Sequence, residues 1–346
     1  MCYRNSVRFE ELVGQEQATA VLRRALAGDR LAHAYLFEGP AGVGKRSAAV
    51  ALGMDLNCER SRTGACGACE TCRRIAAGLH PDVMTIVAEG AQIVMEQAQQ
   101  IVALGAQRPH EARARVIIVD DADRLNANAS NCLLKTLEEP LRGTHLVLVT
   151  AAPDKLLGTI RSRAQRIRFR RVSEAALQAW GAARGVEAGR AAVAAVLADG
   201  SVARFLELTR AGESAGEGED APASSVLPAT AGLRAAARDR GIAPILDAAA
   251  EVGNKESKQQ LPEALALLAR LYRDAMVTAA GAPELAVLAG DPEVAALLPT
   301  NLRLPQLGRA LEAIVEADTA LLGNVNATMA LERLLLALRR EERLAS

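Results

Sequence analysis

The stretch "HAYLFEGPAGVGKRSAAVAL", residues 33–52, constrains the fold of this chain more than any other feature. An apolar run predicts a strand, an alanine-rich segment predicts a helix, and G-x-x-x-x-G-K between them has the spacing of a phosphate-binding loop. In such a loop, backbone N–H groups turn towards phosphate oxygens and the helix N-terminus adds partial positive charge. The predicted nucleotide contacts are Gly39, Gly42, Gly44 and Lys45.

The position after the lysine departs from this pattern. A Ser or Thr hydroxyl there would ligate Mg²⁺, but the residue is Arg46. Ser47 is the nearest hydroxyl, and one step along a helix rotates a side chain by about 100°, away from that position. We therefore expect Arg46 and Ser47 to border a site that holds ATP or ADP, binds Mg²⁺ poorly and hydrolyses slowly.

A second element supports the same site. "VIIVDDAD", residues 116–123, is an apolar strand that ends in acids, as in folds that present a Mg²⁺-organising carboxylate beside the phosphates. Asp120 fits that position. Asp121 stands where a Glu would orient the attacking water, and a displacement of roughly 1 Å can cost on the order of 100-fold in rate.

Short apolar runs alternate with helix-length segments up to about residue 170, which predicts an α/β domain with a parallel sheet and helices on both faces. The predicted strands are 33–39, 82–88, 115–121, 144–150 and 164–169. We expect an N-terminal domain over 1–171, a small helical subdomain over 172–210, a polar linker over 211–232 and an all-helical domain over 233–346. In the last of these, Asn326 can cap a helix with an apolar stripe, formed by Leu331, Leu334, Leu335 and Leu338.

Four of the six cysteines lie within residues 58–72 and are spaced C-x7-C-x2-C-x2-C. Such spacing suits one tetrahedral ion, and four protein ligands leave no open position for catalysis. The predicted ligands are Cys58, Cys66, Cys69 and Cys72. Structural Zn²⁺ is the favoured ion, while an iron–sulfur cluster or no metal remains an alternative.

Composition limits the classes of partner. Lysine plus arginine and aspartate plus glutamate number 41 each, so no global basic field favours direct binding to nucleic acid. The first residues lack the apolar region of a secretion signal, and the sequence offers no membrane-spanning apolar run. We expect a cytoplasmic protein.

Several motifs together resemble the bacterial DNA polymerase III clamp-loader subunits, which are AAA+ ATPases. They are "FEELVGQEQA" (9–18), "AHAYLFEGPAGVGK" (32–45), the cysteine cluster, "NASNCLLKTLEEP" (128–140) and "TIRSRAQRIRF" (159–169). The resemblance implies an AAA+ domain with a zinc-binding insertion, a helical lid and a helical collar for oligomerisation. It also implies that Arg163, in Ser162-Arg163-Ala164, reaches a neighbouring subunit's ATP, and that Thr150 contacts a phosphate.

Within that family the resemblance favours the delta-prime branch, a structural subunit that donates its arginine and hydrolyses little ATP. Arg46, Asp121 and the late position of Arg204 in "GSVARFLEL" (200–208) all depart from the motor branch, gamma or tau. The implied partners are gamma/tau and delta subunits, with the sliding clamp and primed DNA reached through the hetero-oligomer.

Three other functions remain open on the sequence. The chain could be a gamma/tau-like ATPase motor, or a zinc-stabilised nucleotide-binding scaffold in a repair or recombination complex. It could also be a DNA-binding zinc module, because "CRR" (72–74) adds local positive charge. The cysteine spacing and the scarcity of aromatic residues count against the last of these.

Overall fold

A computed structural model describes residues 8–28, 30–61, 64–138, 141–209, 222–253, 261–288, 292–322 and 325–343. The chain divides into two compact units, Met1–Val172 and Ser173–Ser346. Across the described ranges, no helix combines the length and the apolar character needed to cross a bilayer.

The first unit contains a five-stranded parallel sheet. Its strands are β1 (Ala34–Glu38), β2 (Val83–Ile86), β3 (Arg115–Val119), β4 (Thr144–Thr150) and β5 (Gln165–Arg168). Their order is β2-β3-β4-β1-β5, and each neighbouring pair is parallel. The predicted parallel α/β fold is confirmed, and every predicted strand is present within one or two residues of its expected bounds.

Helices connect the strands of this unit. They are α1 (Glu16–Ala27), α2 (Lys45–Asn57), α3 (Glu70–Ala76), α4 (Met95–Gly105), α5 (Ala127–Glu138) and α6 (Gly158–Arg161). Because strand side chains alternate between faces, Tyr35 and Phe37 pack in one core cluster and Leu36 in another. The sheet is therefore buried on both sides at its centre, which explains the nearly continuous apolar sequences of β1, β3 and β4. The edge strand β5 is largely exposed.

The second unit is helical throughout its described residues. Its helices are α7 (Glu174–Ala182), α8 (Ala188–Leu197), α9 (Val202–Thr209), α10 (Pro222–Arg238), α11 (Ala243–Gly253), α12 (Leu261–Ala279), α13 (Pro292–Ala295), α14 (Leu304–Leu322) and α15 (Ala327–Arg343). The predicted cap is present, because Asn326 Oδ1 accepts a hydrogen bond from Met329 N at 3.2 Å. The predicted leucine stripe of α15 is buried.

The predicted linker differs from the structure. Helix α10 occupies 222–232, so the linker prediction is wrong there, whereas 210–221 lie outside the described residues. Val226, Thr230, Leu233 and Ala237 are buried at helical spacing. Pro228, inside the helix, obscured that periodicity in the sequence.

Candidate nucleotide site and cysteine cluster

The phosphate loop lies between β1 and α2, as predicted. Gly39, Gly42 and Gly44 have φ values of 146°, 73° and 97°, in the region that L side chains rarely adopt. A Cβ on Gly39 would lie 2.2 Å from the carbonyl oxygen of Phe169. The loop conformation therefore requires glycine.

Lys45 begins α2 and is buried. Its Nζ donates hydrogen bonds to the carbonyl oxygen of Gly39 at 2.7 Å and to that of Pro40. Burial lowers the pKa of Lys45, and the carboxylates of Asp120, Asp121 and Asp123 oppose that shift. The ammonium group is thus held at the loop, beside acidic residues.

Arg46 contacts the acid that was predicted to organise Mg²⁺. Its Nη1 lies 3.5 Å from Asp120 Oδ2. Burial raises the pKa of Asp120, Arg46 opposes that shift, and Asp121 adds to it. The Nε of Arg46 is buried and has no hydrogen-bond partner within the described part of the chain. The acid predicted to organise Mg²⁺ is thus paired with the residue that replaces the expected hydroxyl ligand.

Sheet topology brings this pair together. Arg46 follows β1 and Asp120 follows β3, and β4 lies between those two strands. The carboxyl ends of parallel strands share one edge of the sheet, where ligands bind in folds of this kind. Thr150 ends β4 on the same edge.

The other predicted site residues on this edge have partners within the chain. Asp121 has φ 50°, and its carboxylate lies 3.8 Å from Arg124 Nε. Thr150 is buried; its Oγ1 donates to Asp123 Oδ1 at 2.6 Å and accepts from Ala152 N at 3.0 Å.

Ser47 is half-buried on α2, one residue beyond Arg46. Phosphate contacts by Ser47 and Thr150, and water orientation by Asp121, remain predictions.

Arg163 follows α6, and its side chain is partly exposed. Its Nη2 lies 2.5 Å from Glu138 Oε1 on α5, and its Nη1 donates to the carbonyl oxygen of Thr159 at 3.0 Å. These contacts orient the guanidinium without burying it.

Arg204 belongs to the second unit, where it pairs with Glu207 at 3.3 Å and with Glu263.

The four predicted metal ligands converge. Cys58 follows α2, Cys69 caps α3 and Cys72 lies within α3. The four Sγ atoms, including that of Cys66, all lie within 4.8 Å of one another. A tetrahedral zinc site with bonds of about 2.3 Å places its sulfurs about 3.8 Å apart, so this cluster could hold one zinc ion.

Backbone N–H groups point at the sulfurs. Cys66 N donates to Cys58 Sγ at 3.3 Å, and Cys69 N donates to Cys66 Sγ at 3.2 Å. Hydrogen bonds from Ala68 and Cys69 lower the pKa of Cys66 to about 6, whereas burial raises the pKa of Cys72. The geometry favours thiolate at Cys66, which is the form that binds metal.

Two supports of the cluster were not predicted. Asp55 Oδ1 accepts from Ala65 N at 2.6 Å, and Arg113 donates to the carbonyl oxygen of Cys58. Burial raises the pKa of Asp55 to about 6. Both residues attach the cysteine segment to the sheet domain, and neither stands in a motif that could have identified it.

A buried acid, Asp82, was also missed. It accepts hydrogen bonds from the backbone N–H groups of His110, Glu111 and Ala112. Its Oδ1 also lies 2.7 Å from Arg115 Nη2. Burial alone would raise the pKa of Asp82, but these donors hold it well below its usual range. A single acid before an apolar run gives no periodic signal in the sequence.

The N-terminal part of the chain is similar to known DNA polymerase III subunits. A family model described as "DNA polymerase III, delta subunit" matches residues 14–173, which include the loop, the cysteine cluster and Arg163. The resemblance to DNA polymerase III clamp-loader subunits is confirmed for this part of the chain. The "DNA polymerase III subunit delta'" of Bacillus subtilis (strain 168) is 37% identical over 47% of this chain and 50% of that protein.

The "DNA polymerase III subunit tau" of the same organism is 39% identical over 49% of this chain and 30% of that protein. The chain thus matches half or less of the length of these relatives. Among solved structures, the RuvB Holliday junction branch migration motor of Thermotoga maritima is 20% identical over 58% of this chain and 62% of that chain, with a TM-score of 0.42.

Proposed function

We propose that this chain is a delta-prime-like subunit of the DNA polymerase III clamp loader and hydrolyses little ATP itself. The contact between Arg46 and Asp120 carries this proposal. In an active site of this class, a hydroxyl and an acid hold Mg²⁺, and the metal neutralises charge on the transferring phosphoryl group. Here the acid is paired with a guanidinium, so the residues do not fit a catalytic Mg²⁺.

Arg163 would act on a neighbouring subunit. An arginine supplied in trans stabilises transition-state charge and can be worth roughly 10³ to 10⁵ in rate. The side chain is 36% exposed, so its ion pair with Glu138 is readily exchanged for a phosphate contact. Glu138 and Thr159 would hold the guanidinium oriented until a neighbour's nucleotide replaces the carboxylate.

The cysteine cluster would serve a structural role in the cytoplasm. Four thiolates around Zn²⁺ leave no open position for a reacting water, and the segment is tied to the sheet through Asp55 and Arg113. The proposed partners are gamma/tau and delta subunits, with the sliding clamp and primed DNA engaged by the assembled complex.

A gamma/tau-like motor is the alternative, because the tau relative matches at an identity close to that of the delta-prime relative. The two proposals differ in what the lone chain does. We would purify the full zinc-loaded chain, measure its Mg²⁺-dependent ATP turnover, and test its co-purification with a gamma/tau and a delta subunit. Assembly without turnover by the lone chain is expected. Turnover that Lys45→Ala abolishes would establish the motor and overturn the delta-prime proposal.

A further inference from the structure

The phosphate loop keeps its backbone conformation but lacks the residue that would bind Mg²⁺. The backbone requirements of the loop are kept, because its glycines adopt positive φ and Lys45 begins the helix. Within the loop itself, only the residue at the metal-binding position differs from the expected pattern. A permanent cation, Arg46, stands beside Asp120, the carboxylate that would have organised the divalent ion.

A guanidinium can take over part of the role of the metal. It remains charged at all relevant pH values, and its planar set of N–H donors matches phosphate oxygens. One of those donors, Nε of Arg46, is buried and without a hydrogen-bond partner in the described residues. A buried donor without a partner is costly, and a phosphate oxygen is the type of acceptor that would satisfy it.

Each acid beside the loop already has a partner within the chain. Asp120 pairs with Arg46, Asp121 pairs with Arg124, and Asp123 accepts a hydrogen bond from the Thr150 hydroxyl. A divalent ion bound by Asp120 would lie close to the Arg46 guanidinium. The divalent cation and the Arg46 guanidinium would repel each other strongly, because both are positively charged and the site is partly buried.

We propose that Arg46 replaces Mg²⁺ in this loop, so that the site binds metal-free nucleoside triphosphate and Mg²⁺ weakens the binding. The inference takes its ligand class from the proposed function, but it concerns binding and requires no hydrolysis. Metal-free triphosphate carries two more negative charges than its Mg²⁺ complex and leaves its terminal oxygens free for Lys45 and Arg46.

The test measures the affinity of the full zinc-loaded chain for ATP by isothermal titration calorimetry, in two conditions. The metal-free condition uses buffer passed over a chelating resin beforehand, because a soluble chelator would compete for the cysteine-bound ion. The second condition adds Mg²⁺ in excess over ATP. We expect affinity at least tenfold higher without Mg²⁺ than with it.

Three variants make the test specific. Arg46→Thr supplies the missing hydroxyl and should reverse the preference, so that Mg²⁺ strengthens binding. Lys45→Ala should lose binding in both conditions. Arg142→Thr is the matched control: Arg142 is exposed in the turn before β4, at the opposite edge of the sheet, and its variant should behave as the wild type.

Stronger binding of the wild type with Mg²⁺, or an unchanged preference in a folded Arg46→Thr variant, would overturn the inference. Absence of ATP binding in both conditions, in a chain that still assembles with clamp-loader subunits, would overturn this inference alone. Metal-inhibited binding in a chain that fails to assemble would support the inference and count against the proposed function.

Discussion

Replacing Asp82 by Asn should destabilise the first unit severely. The carboxylate is completely buried, and its Oδ2 accepts from the backbone N–H groups of Glu111 at 2.9 Å and Ala112 at 3.0 Å, while Oδ1 faces Arg115. Either orientation of an asparagine amide turns an NH₂ group towards donors that need an acceptor. Breaking a buried pair in this way costs about 3–5 kcal/mol, a large fraction of the 5–15 kcal/mol typical of a domain.

The effect should also depend on pH. The folded-state pKa of Asp82 lies below its unfolded value, so its contribution is fully present above about pH 4 and is lost as pH falls towards the folded pKa. The difference in free energy of unfolding between the wild type and Asp82→Asn should therefore be largest near pH 7 and become smaller below about pH 4.

Urea unfolding of the zinc-loaded chain provides the assay. Far-UV circular dichroism follows both units, while Trp180, the one tryptophan of the sequence, reports on the second unit. Asp154→Asn is the control, because that side chain is 94% exposed in its ion pair with Arg161 and such pairs contribute about 0–1 kcal/mol. If Asp82→Asn lowers the free energy of unfolding by less than about 1 kcal/mol, the contacts of the Asp82 carboxylate do not stabilise the first unit as argued.

Three further changes have defined outcomes. Gly39→Ala should lower the melting temperature and abolish nucleotide binding, because its Cβ would meet Phe169 O at 2.2 Å; calorimetry that finds wild-type binding would contradict this. Cys66→Ser should reduce the zinc content measured by atomic absorption and lower the melting temperature, whereas Cys132→Ser, outside the cluster, should leave the zinc content unchanged. Asn326→Ala should cost about 1 kcal/mol through loss of the helix cap; an unchanged urea midpoint of the second unit would argue against that cap.

Local patterns predicted much of the site because the chemistry and the backbone share one segment. The glycines and Lys45 of the phosphate loop predicted a strand, a turn and a helix together, and all three are present. The cysteine spacing likewise predicted a cluster, because x2 steps bring sulfurs to one side of a turn. In both cases the relevant residues lie within about fifteen positions of each other.

Contacts between residues far apart in the sequence could not be predicted from local patterns. The sequence places Arg46 and Asp120 in two motifs, but their ion pair depends on the strand order, which no periodicity reveals. Glu38 accepts from Arg166 and Arg168 at the end of β1. As with Asp82, those partners are far apart in sequence.

The predicted linker, residues 211–232, shows that local composition can also mislead. Proline, glycine and serine gave 211–232 a loop-like composition, yet α10 begins at Pro222 and continues through Pro228. Tertiary burial of Val226 and Leu233 outweighs the weak helix propensity of that stretch.

The most direct test of the central claim is ATP turnover by a reconstituted clamp loader on primed DNA with the sliding clamp. We would compare complexes that contain the wild-type chain, Arg163→Ala and the matched variant Arg161→Ala, after confirming equal assembly and melting. Arg161 pairs with exposed Asp154 on its own chain and serves as the control. The account predicts that Arg163→Ala lowers turnover by about tenfold or more, while Arg161→Ala does not. Equal turnover by the three intact complexes would contradict it.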